Sequence, residues 1–184
     1  AVGKEIMDSR AETLEAAGLL PYGGELEAQA ILRVVERRLR EKSPLWRDAS
    51  LTIIDVGAAN THMYVVQNQR LQFLRGVRFG STGISLAVAR ELNVSVAEAD
   101  ELLGNVSTEI TPEGVLRLAV DEQTTLINVQ PDLEKLTREF LRLLRYFRSL
   151  HPERSYAGIL DHVLLCGGFA GLKGFAEYLE GCLG

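Results

Sequence analysis

Cysteine is scarce in this chain of 184 residues: Cys166 and Cys182 occur without Cys-x-x-Cys spacing and without a Cys/His cluster. That pattern argues against a disulfide framework, a structural metal site or a redox pair, and suits a reducing cytosol. Long apolar runs are missing as well. None approaches ~18 residues, so no helix is expected to span a bilayer. Positive charge is not in excess: Lys plus Arg total 20 against 25 Asp plus Glu, a net charge of −5. Broad electrostatic binding to nucleic acid or to an anionic membrane is therefore not expected. An initiator Met and a leader pattern are absent before Ala1, and Gly184 follows directly on a helical pattern. Both ends read as cuts, and the chain is expected to be a piece of a larger protein. What is present is ordinary for a globular protein, 46% hydrophobic and 24% charged residues. A chain of this length buries roughly 70% of its unfolded surface and supports a core without staples.

The first part of the chain is helical in pattern. Residues 4–17 place Ile6, Leu14 and Ala17 on one face, and Gly18 is a C-terminal stop. Residues 25–41 repeat the pattern with Leu26, Ala30, Val34 and Leu39, and Lys42-Ser43-Pro44 ends it. The character then changes. Leu51–Val56 is an apolar run broken only by Thr52 and Asp55, as expected of a strand buried on both faces. Thr61–Val66 and Leu71–Phe79 are two more strands, joined at Asn68-Gln69. Short turns make these three an antiparallel meander. A helix is expected at about 84–92, and Ser95-Val96-Ala97-Glu98 is a capping box that opens another. Residues 108–130 carry only a weak pattern. From Pro131-Asp132 a long helix runs to about Leu150, with Leu133, Leu136, Phe140, Leu143, Phe147 and Leu150 stepping 3-4-3-4-3 along one seam. His151–Arg154 ends it; Asp161–Cys166 is a strand, and 171–182 a last helix.

Two glycine-containing turns carry chemistry. In Ile54-Asp55-Val56-Gly57-Ala58-Ala59-Asn60-Thr61, a carboxylate stands near the end of a buried strand. Such a group is costly unless it meets a cation, water or a donor. Gly57 lets a phosphate approach the backbone, and Asn60 and Thr61 offer an amide and a hydroxyl. The plain alternative is a hairpin whose Asp caps its own turn. In Leu164-Leu165-Cys166-Gly167-Gly168-Phe169, a strand, a glycine pair and a helix start form a cradle for a nucleoside or phosphate. Its plain alternative is a tight strand-to-helix connection needing positive φ. The two turns together are more specific than either alone. No Ser-His-Asp or Cys-His arrangement is detectable, so no catalytic residue is assigned. Cys166 reads as a small core residue and His62 as a strand-face residue.

The run Leu51–Thr61 resembles the second phosphate motif of the actin-like ATPases, and Val163–Gly168 resembles their adenosine motif. Within that superfamily the chain is similar to the PilM family of type IV pilus assembly proteins. Leu14–Leu19 with Glu27-Ala28, Arg78-Phe79-Gly80 with Leu92–Ala99, and Arg138-Glu139, Arg142 and Tyr146–Ser149 extend the likeness over nearly the whole chain.

The resemblance implies an α/β protein with the actin-like (ribonuclease H-like) fold, a mixed sheet with an antiparallel meander and flanking helices. It implies the second lobe only, so any ATP and Mg²⁺ site is half a site. Residues 1–50 become inter-lobe helices, 51–83 with 136–184 the nucleotide-cradling sheet domain, and 84–135 a small outer subdomain. By position, Asp55 serves a Mg²⁺-bound water, and Gly57, Asn60 and Thr61 face the β- and γ-phosphates. Gly167 and Gly168 pack against adenosine. Glu139 and Arg142 reach the ribose or base; the alternative for this pair is a solvated helix face. Phe169 stands where the family keeps a small residue, and it either stacks on adenine or turns inward and closes the pocket. The implied function is a cytoplasmic scaffold lobe of pilus assembly. It is peripheral to the inner membrane through membrane-anchored PilN-like alignment proteins and assembly motors, with no nucleic acid partner and no turnover by this piece. The competing readings are an active ATPase fragment, a nucleotide-independent interaction module of the GspL kind, and an FtsA-like division protein.

Overall fold

The computed structural model describes residues 3–42, 50–120, 123–150 and 162–183. The chain divides into two compact units, residues 1–46 and 47–184. The first unit contains helices α1 (Lys4–Ala16) and α2 (Glu27–Lys42). Gly18 closes α1 as expected: Leu19 N–H donates to Leu14 O and Gly18 N–H to Glu15 O, both at 2.9 Å. α1 buries none of its residues, so packing within this unit does not hold it. The expected stop at Ser43-Pro44 lies outside the described residues.

The second unit is built on a four-stranded sheet of order β3-β2-β1-β7, from β1 (Ser50–Val56), β2 (Thr61–Gln67), β3 (Arg70–Val77) and β7 (Val163–Cys166). The meander is as the sequence predicts. Asn68 and Gln69 take φ of 49° and 60° at the β2–β3 turn, the left-handed pair that matches strand twist. β7 joins on the far side of β1 in parallel, pairing Thr52 with Val163 and Asp55 with Cys166. β1 thus has a neighbour on each side, and Leu51 to Val56 are all buried, which explains its apolar run. The expected start of β7 at Asp161 falls outside the described residues.

After β3 come α3 (Ser81–Leu92) and α4 (Val96–Leu103). α3 begins three residues earlier than the pattern suggests, because Gly80 serves as its N-cap. Asn93, left-handed at φ 54°, closes it. The capping box of α4 is complete: Glu98 N–H donates to Ser95 Oγ at 3.2 Å, and Ser95 N–H donates to Glu98 Oε2 at 2.8 Å. Hydrogen bonding to the Ser95 side chain, and then to its backbone, holds the Glu98 carboxyl below its ordinary range.

The weakly patterned stretch folds into a second, antiparallel sheet, order β4-β5-β6: β4 (Glu109–Ile110), β5 (Val115–Val120) and β6 (Gln123–Asn128). Among the residues of its long strands whose burial is described, Leu116, Leu118 and Ile127 are buried, so the two-residue period is faint.

Helix α5 (Gln130–Leu150) starts with Gln130 N–H donating to Asn128 Oδ1 at 3.0 Å. Pro131 follows in the first turn, where its missing N–H is no loss. The seam packs under one face of the main sheet. Leu133, Leu136, Phe140, Leu143 and Phe147 join a core with Ile54, Val56, Met63, Val65, Phe73 and Val77. Phe147 meets Phe73 edge-on, centroids 5.3 Å apart. Leu150 departs from the seam and is 51% exposed, because the last turn carries past the sheet core. The end of this helix at His151–Arg154 lies outside the described residues. The last helix is shorter than its pattern: a 3₁₀ turn (Gly168–Gly171) precedes α6 (Phe175–Leu183). Among the described residues no helix is long and apolar enough to cross a membrane.

Phe140→Ala should lower stability by about 3–5 kcal/mol, whereas Leu150→Ala should stay within about 0.5 kcal/mol. Urea unfolding followed by far-UV circular dichroism measures both. A mild Phe140→Ala would contradict the packing of α5 under the sheet.

Candidate functional site

The parallel register decides where the chemistry collects. Asp55 lies beside Cys166, so the turns that follow β1 and β7 emerge at the same, carboxyl-terminal end of two adjacent parallel strands. In mixed and parallel sheets that end is where ligands bind. The approach of the two turns is close. A Cβ on Gly167 would stand 2.3 Å from Val56 O and 2.7 Å from Asp55 Oδ1. Gly167 also has φ 89° and ψ 169°, a region that essentially only glycine occupies. Gly168, one residue on, has open space where its Cβ would be.

Asp55 itself is 8% exposed. Among the described residues of this unit no donor hydrogen-bonds its carboxylate. Its neighbour in β2 is His62, and a Cβ on Gly76 in β3 would lie 2.9 Å from the His62 ring. His62 is thus a strand-face residue held over a glycine, as the sequence suggests.

The Gly57–Asn60 turn is exposed apart from half-buried Gly57, and it is wired to α3. Gly57 N–H donates to Asn60 O, Ser81 N–H to Gly57 O, and Thr82 N–H to Ala58 O, each at 3.0 Å. Two amides of the first turn of α3, otherwise orphaned, therefore hold the turn's carbonyls. The turn reaches them because Gly80 is small: a Cβ there would stand 2.1 Å from Ala58 O. Thr61 is fully buried and donates through Oγ1 to Phe79 O at 2.9 Å, so its proton is committed to the protein. Asn60 keeps its side chain in solvent.

Beyond Gly168 a cavity of about 420 Å³ opens, a size typical of small-ligand sites. Gly168 and Phe169 form one wall, and Ser81, Ser85, Asp100 and Leu103 of α3 and α4 form another. Ser85 is buried, and its one hydroxyl proton is shared between Asp100 Oδ1 and Ser81 O, the latter at 3.1 Å. Phe169 turns inward: it is 4% exposed and meets Phe175 edge-on, centroids 4.9 Å apart. The outer rim is tied down by β4. Ile110 N–H donates to Lys173 O at 2.8 Å, and Glu109 pairs with Lys173 at 2.7 Å and Arg117 at 3.1 Å. Hydrogen bonds from Lys173 first, then Arg117, hold the Glu109 carboxyl below its ordinary range.

Asp55, Gly57, Asn60, Thr61, Gly167, Gly168 and Phe169 thus gather around one end of β1 and β7. Glu139 and Arg142 do not join them. They lie on α5 beside Gly76, Val77 and Arg78 of the β3 end, in a separate concavity, while Gly168 lines the cavity beyond β7. β3 and β7 are opposite edges of the sheet, roughly 14 Å apart at ~4.8 Å per strand. Glu139 binds Arg142 instead, at 3.0 Å to Nε and 2.5 Å to Nη2. Sequence reasoning missed Ser85, Asp100 and Leu103. The capping box that locates α4 is the one signal that could have placed the last two.

A family model described as type IV pilus assembly protein PilM matches residues 1–184. A comparison with functionally characterised sequences finds no significant match. Among solved structures, a PilM–PilN type IV pilus biogenesis complex is similar at TM-score 0.70 and 23% identity, over 98% of this chain and 46% of that one. The chain spans less than half the length of that relative. MreB 5 of Spiroplasma citri bound to AMPPNP gives TM-score 0.49 at 14% identity, over 86% of this chain and 58% of that one. Ethanolamine utilization protein EutJ from Carboxydothermus hydrogenoformans gives 0.46 at 16%, over 74% and 42%. The likeness to the pilus complex shows the fold alone, a mixed α/β architecture.

Gly167→Ala should cost about 1–3 kcal/mol from its backbone conformation alone, with the contact against Val56 added. Gly168→Ala should be nearly neutral. Equal urea midpoints for the two variants would contradict the close approach of the turns.

Proposed function

The chain belongs to the PilM family of type IV pilus assembly proteins, and we propose that it is the second lobe of an actin-like scaffold, carrying half of a Mg²⁺-ATP site. The observation that carries this reading is Asp55. It is a nearly buried carboxylate that no described donor of its own unit engages, at the junction of two glycine turns. A group in that condition calls for a cation or an ordered water. A Mg²⁺ ion supplies charge neutralisation for phosphate oxygens when bound. In this reading Asp55 orients a water on that ion, and the Gly57–Asn60 turn, with Thr61 behind it, faces the phosphates. Gly167 and Gly168 flank the nucleoside at the mouth of the 420 Å³ cavity. Residues 1–50 serve as inter-lobe helices, 51–83 with 136–184 as the cradle, and 84–135 as an outer subdomain.

The similar solved structure is a complex of PilM with PilN. We propose that the complete protein is cytoplasmic and docks on a membrane-anchored PilN-like partner and the assembly motors at the inner membrane. This lobe alone does not turn ATP over. A second reading is favoured by the commitments of Thr61, Ser81 and Thr82 to protein acceptors, which leave fewer donors for phosphate. It is an interaction module that keeps the fold without the nucleotide.

Titration calorimetry with Mg²⁺-ATP separates the two readings. The chain alone should bind with a Kd on the order of 1 mM or weaker, ~4 kcal/mol. In the complete protein, Asp55→Asn should weaken binding by at least about tenfold, ~1.4 kcal/mol. Unchanged affinity in that variant would remove Asp55 from the nucleotide site.

A further inference from the structure

We propose that the groove between the end of β3 and the first half of α5 is a docking site for an extended, acidic segment of a partner protein. The inference stands apart from the nucleotide reading and uses different residues. Among the described residues β3 is an edge strand, paired with β2 alone, and all of it is exposed except Phe73 and Val77. An unpaired strand edge is a template for an added strand. Beside its last residues opens a concavity of about 560 Å³, between Gly76–Arg78 and the α5 residues Lys135, Arg138, Glu139 and Arg142.

The charge of this concavity runs against that of the protein, whose net charge is −5. Lys135 is matched by Asp132 at 2.7 Å, and Arg142 by Glu139. Arg78 and Arg138 have no ion pair or hydrogen bond among the described residues, so the groove holds two unmatched guanidinium groups. A third cation is fixed on β3 itself, three residues before Arg78. Arg75 lies over the rings of Phe73 and Tyr146, 5.5 and 5.8 Å from their centroids, and donates to Leu74 O at 2.8 Å. Stacking of this kind holds an Arg in place at little entropic cost.

Side chains on one face of a strand recur every ~6.8 Å. A strand laid along β3 with acidic residues at alternate positions would therefore turn its carboxylates to the face that packs on α5, toward Arg75 and Arg138, with Arg78 just past the end of the strand. Guanidinium groups donate to carboxylates in bidentate pairs. An anionic membrane fits the same charge less well. The free cations lie in a concavity beside a strand edge, and a bilayer surface cannot enter it.

The test is fluorescence anisotropy on the complete protein, with a labelled peptide of about six residues, alternating Glu and Val. A matching peptide with Lys for Glu, and one N-methylated at alternate amides, serve as controls. The Glu peptide should bind, and both control peptides should bind at least about tenfold more weakly. The double variant R78E/R138E should lose about tenfold or more in affinity, R78Q/R138Q should lose less, and R90E on α3 should lose nothing. Equal binding of the Glu and Lys peptides would overturn the proposal. So would Glu-peptide binding that R78E/R138E and R78Q/R138Q leave unchanged, or no binding at all; the arginines would then only guard the edge. Retention on equimolar phosphatidylglycerol–phosphatidylethanolamine vesicles that R78E/R138E abolishes, without peptide binding, would replace the peptide with a membrane.

Discussion

The parallel pairing of β1 with β7 is the constraint on which the second unit depends. Two parallel neighbours cannot be joined by a hairpin; the chain must cross over. Here the crossover is everything between Val56 and Val163: the rest of the meander, α3, α4, the second sheet and α5. α5 does the returning. Its 21 residues span about 31 Å at 1.5 Å per residue, enough to pass under the whole sheet. Its seam of Leu133 to Phe147 is buried against the same face that Ile54, Val65 and Phe73 present. Burial of the seam and delivery of β7 to the correct side of β1 are therefore one event. If the pairing slipped by a single residue, Asp55 would no longer lie beside Cys166, and the two turns would lose contact.

That contact explains why small residues stand where they do. Gly80 and Gly167 approach the same loop from opposite sides. Gly80 abuts the main chain of Ala58, and Gly167 abuts that of Val56. Any side chain at either position would push the turn outward and pull Asp55 from its place. The turn is held by main-chain hydrogen bonds to Ser81 and Thr82 rather than by its own side chains. Among the described residues of this unit, no hydrogen bond engages the side chain of Asn60 or the carboxylate of Asp55. The division of labour is physical: backbone donors fix the loop, and side chains remain for chemistry.

How much of this the sequence reveals depends on how locally each feature is encoded. β1 is legible because burial on both faces writes a continuous apolar run. α5 is legible because a seam under a sheet writes a 3-4 period. Leu150 breaks the inference because periodicity does not say where the partner surface ends. The second sheet is nearly invisible because few of its described residues, Leu116, Leu118 and Ile127 in the long strands, carry its inner face, while Leu126 is 61% exposed. The two glycine turns are legible as motifs, but their meeting is not. It follows from the register of strands more than a hundred residues apart. The same holds for Ser85 and Asp100, brought together by the packing of α3 on α4. Glu139 and Arg142 depend on the same long-range geometry: a likeness in sequence carries no distance, and the fold sets them beside the end of β3.

The position of Phe169 ties the site to stability. Gly167 and Gly168 create an opening by lacking side chains, and the next residue carries one of the largest. An exposed ring at the cavity mouth would forfeit the burial that Phe175 and the surrounding core offer, worth about 1.5–3 kcal/mol. The 3₁₀ turn supplies the bend that lets the ring point inward, with Leu172 N–H donating to Phe169 O at 3.2 Å. The cavity wall on this side is therefore also core. It cannot widen without exposing Phe169 and disturbing Phe175, so the opening beyond Gly168 is rigid on the α6 side. On the other side Ser85 and Asp100 belong to α3 and α4, whose Ile84, Val88 and Ala99 share one core with Phe169 and Phe175, and β4 adds the bonds of Ile110 and Glu109 to Lys173 at the rim.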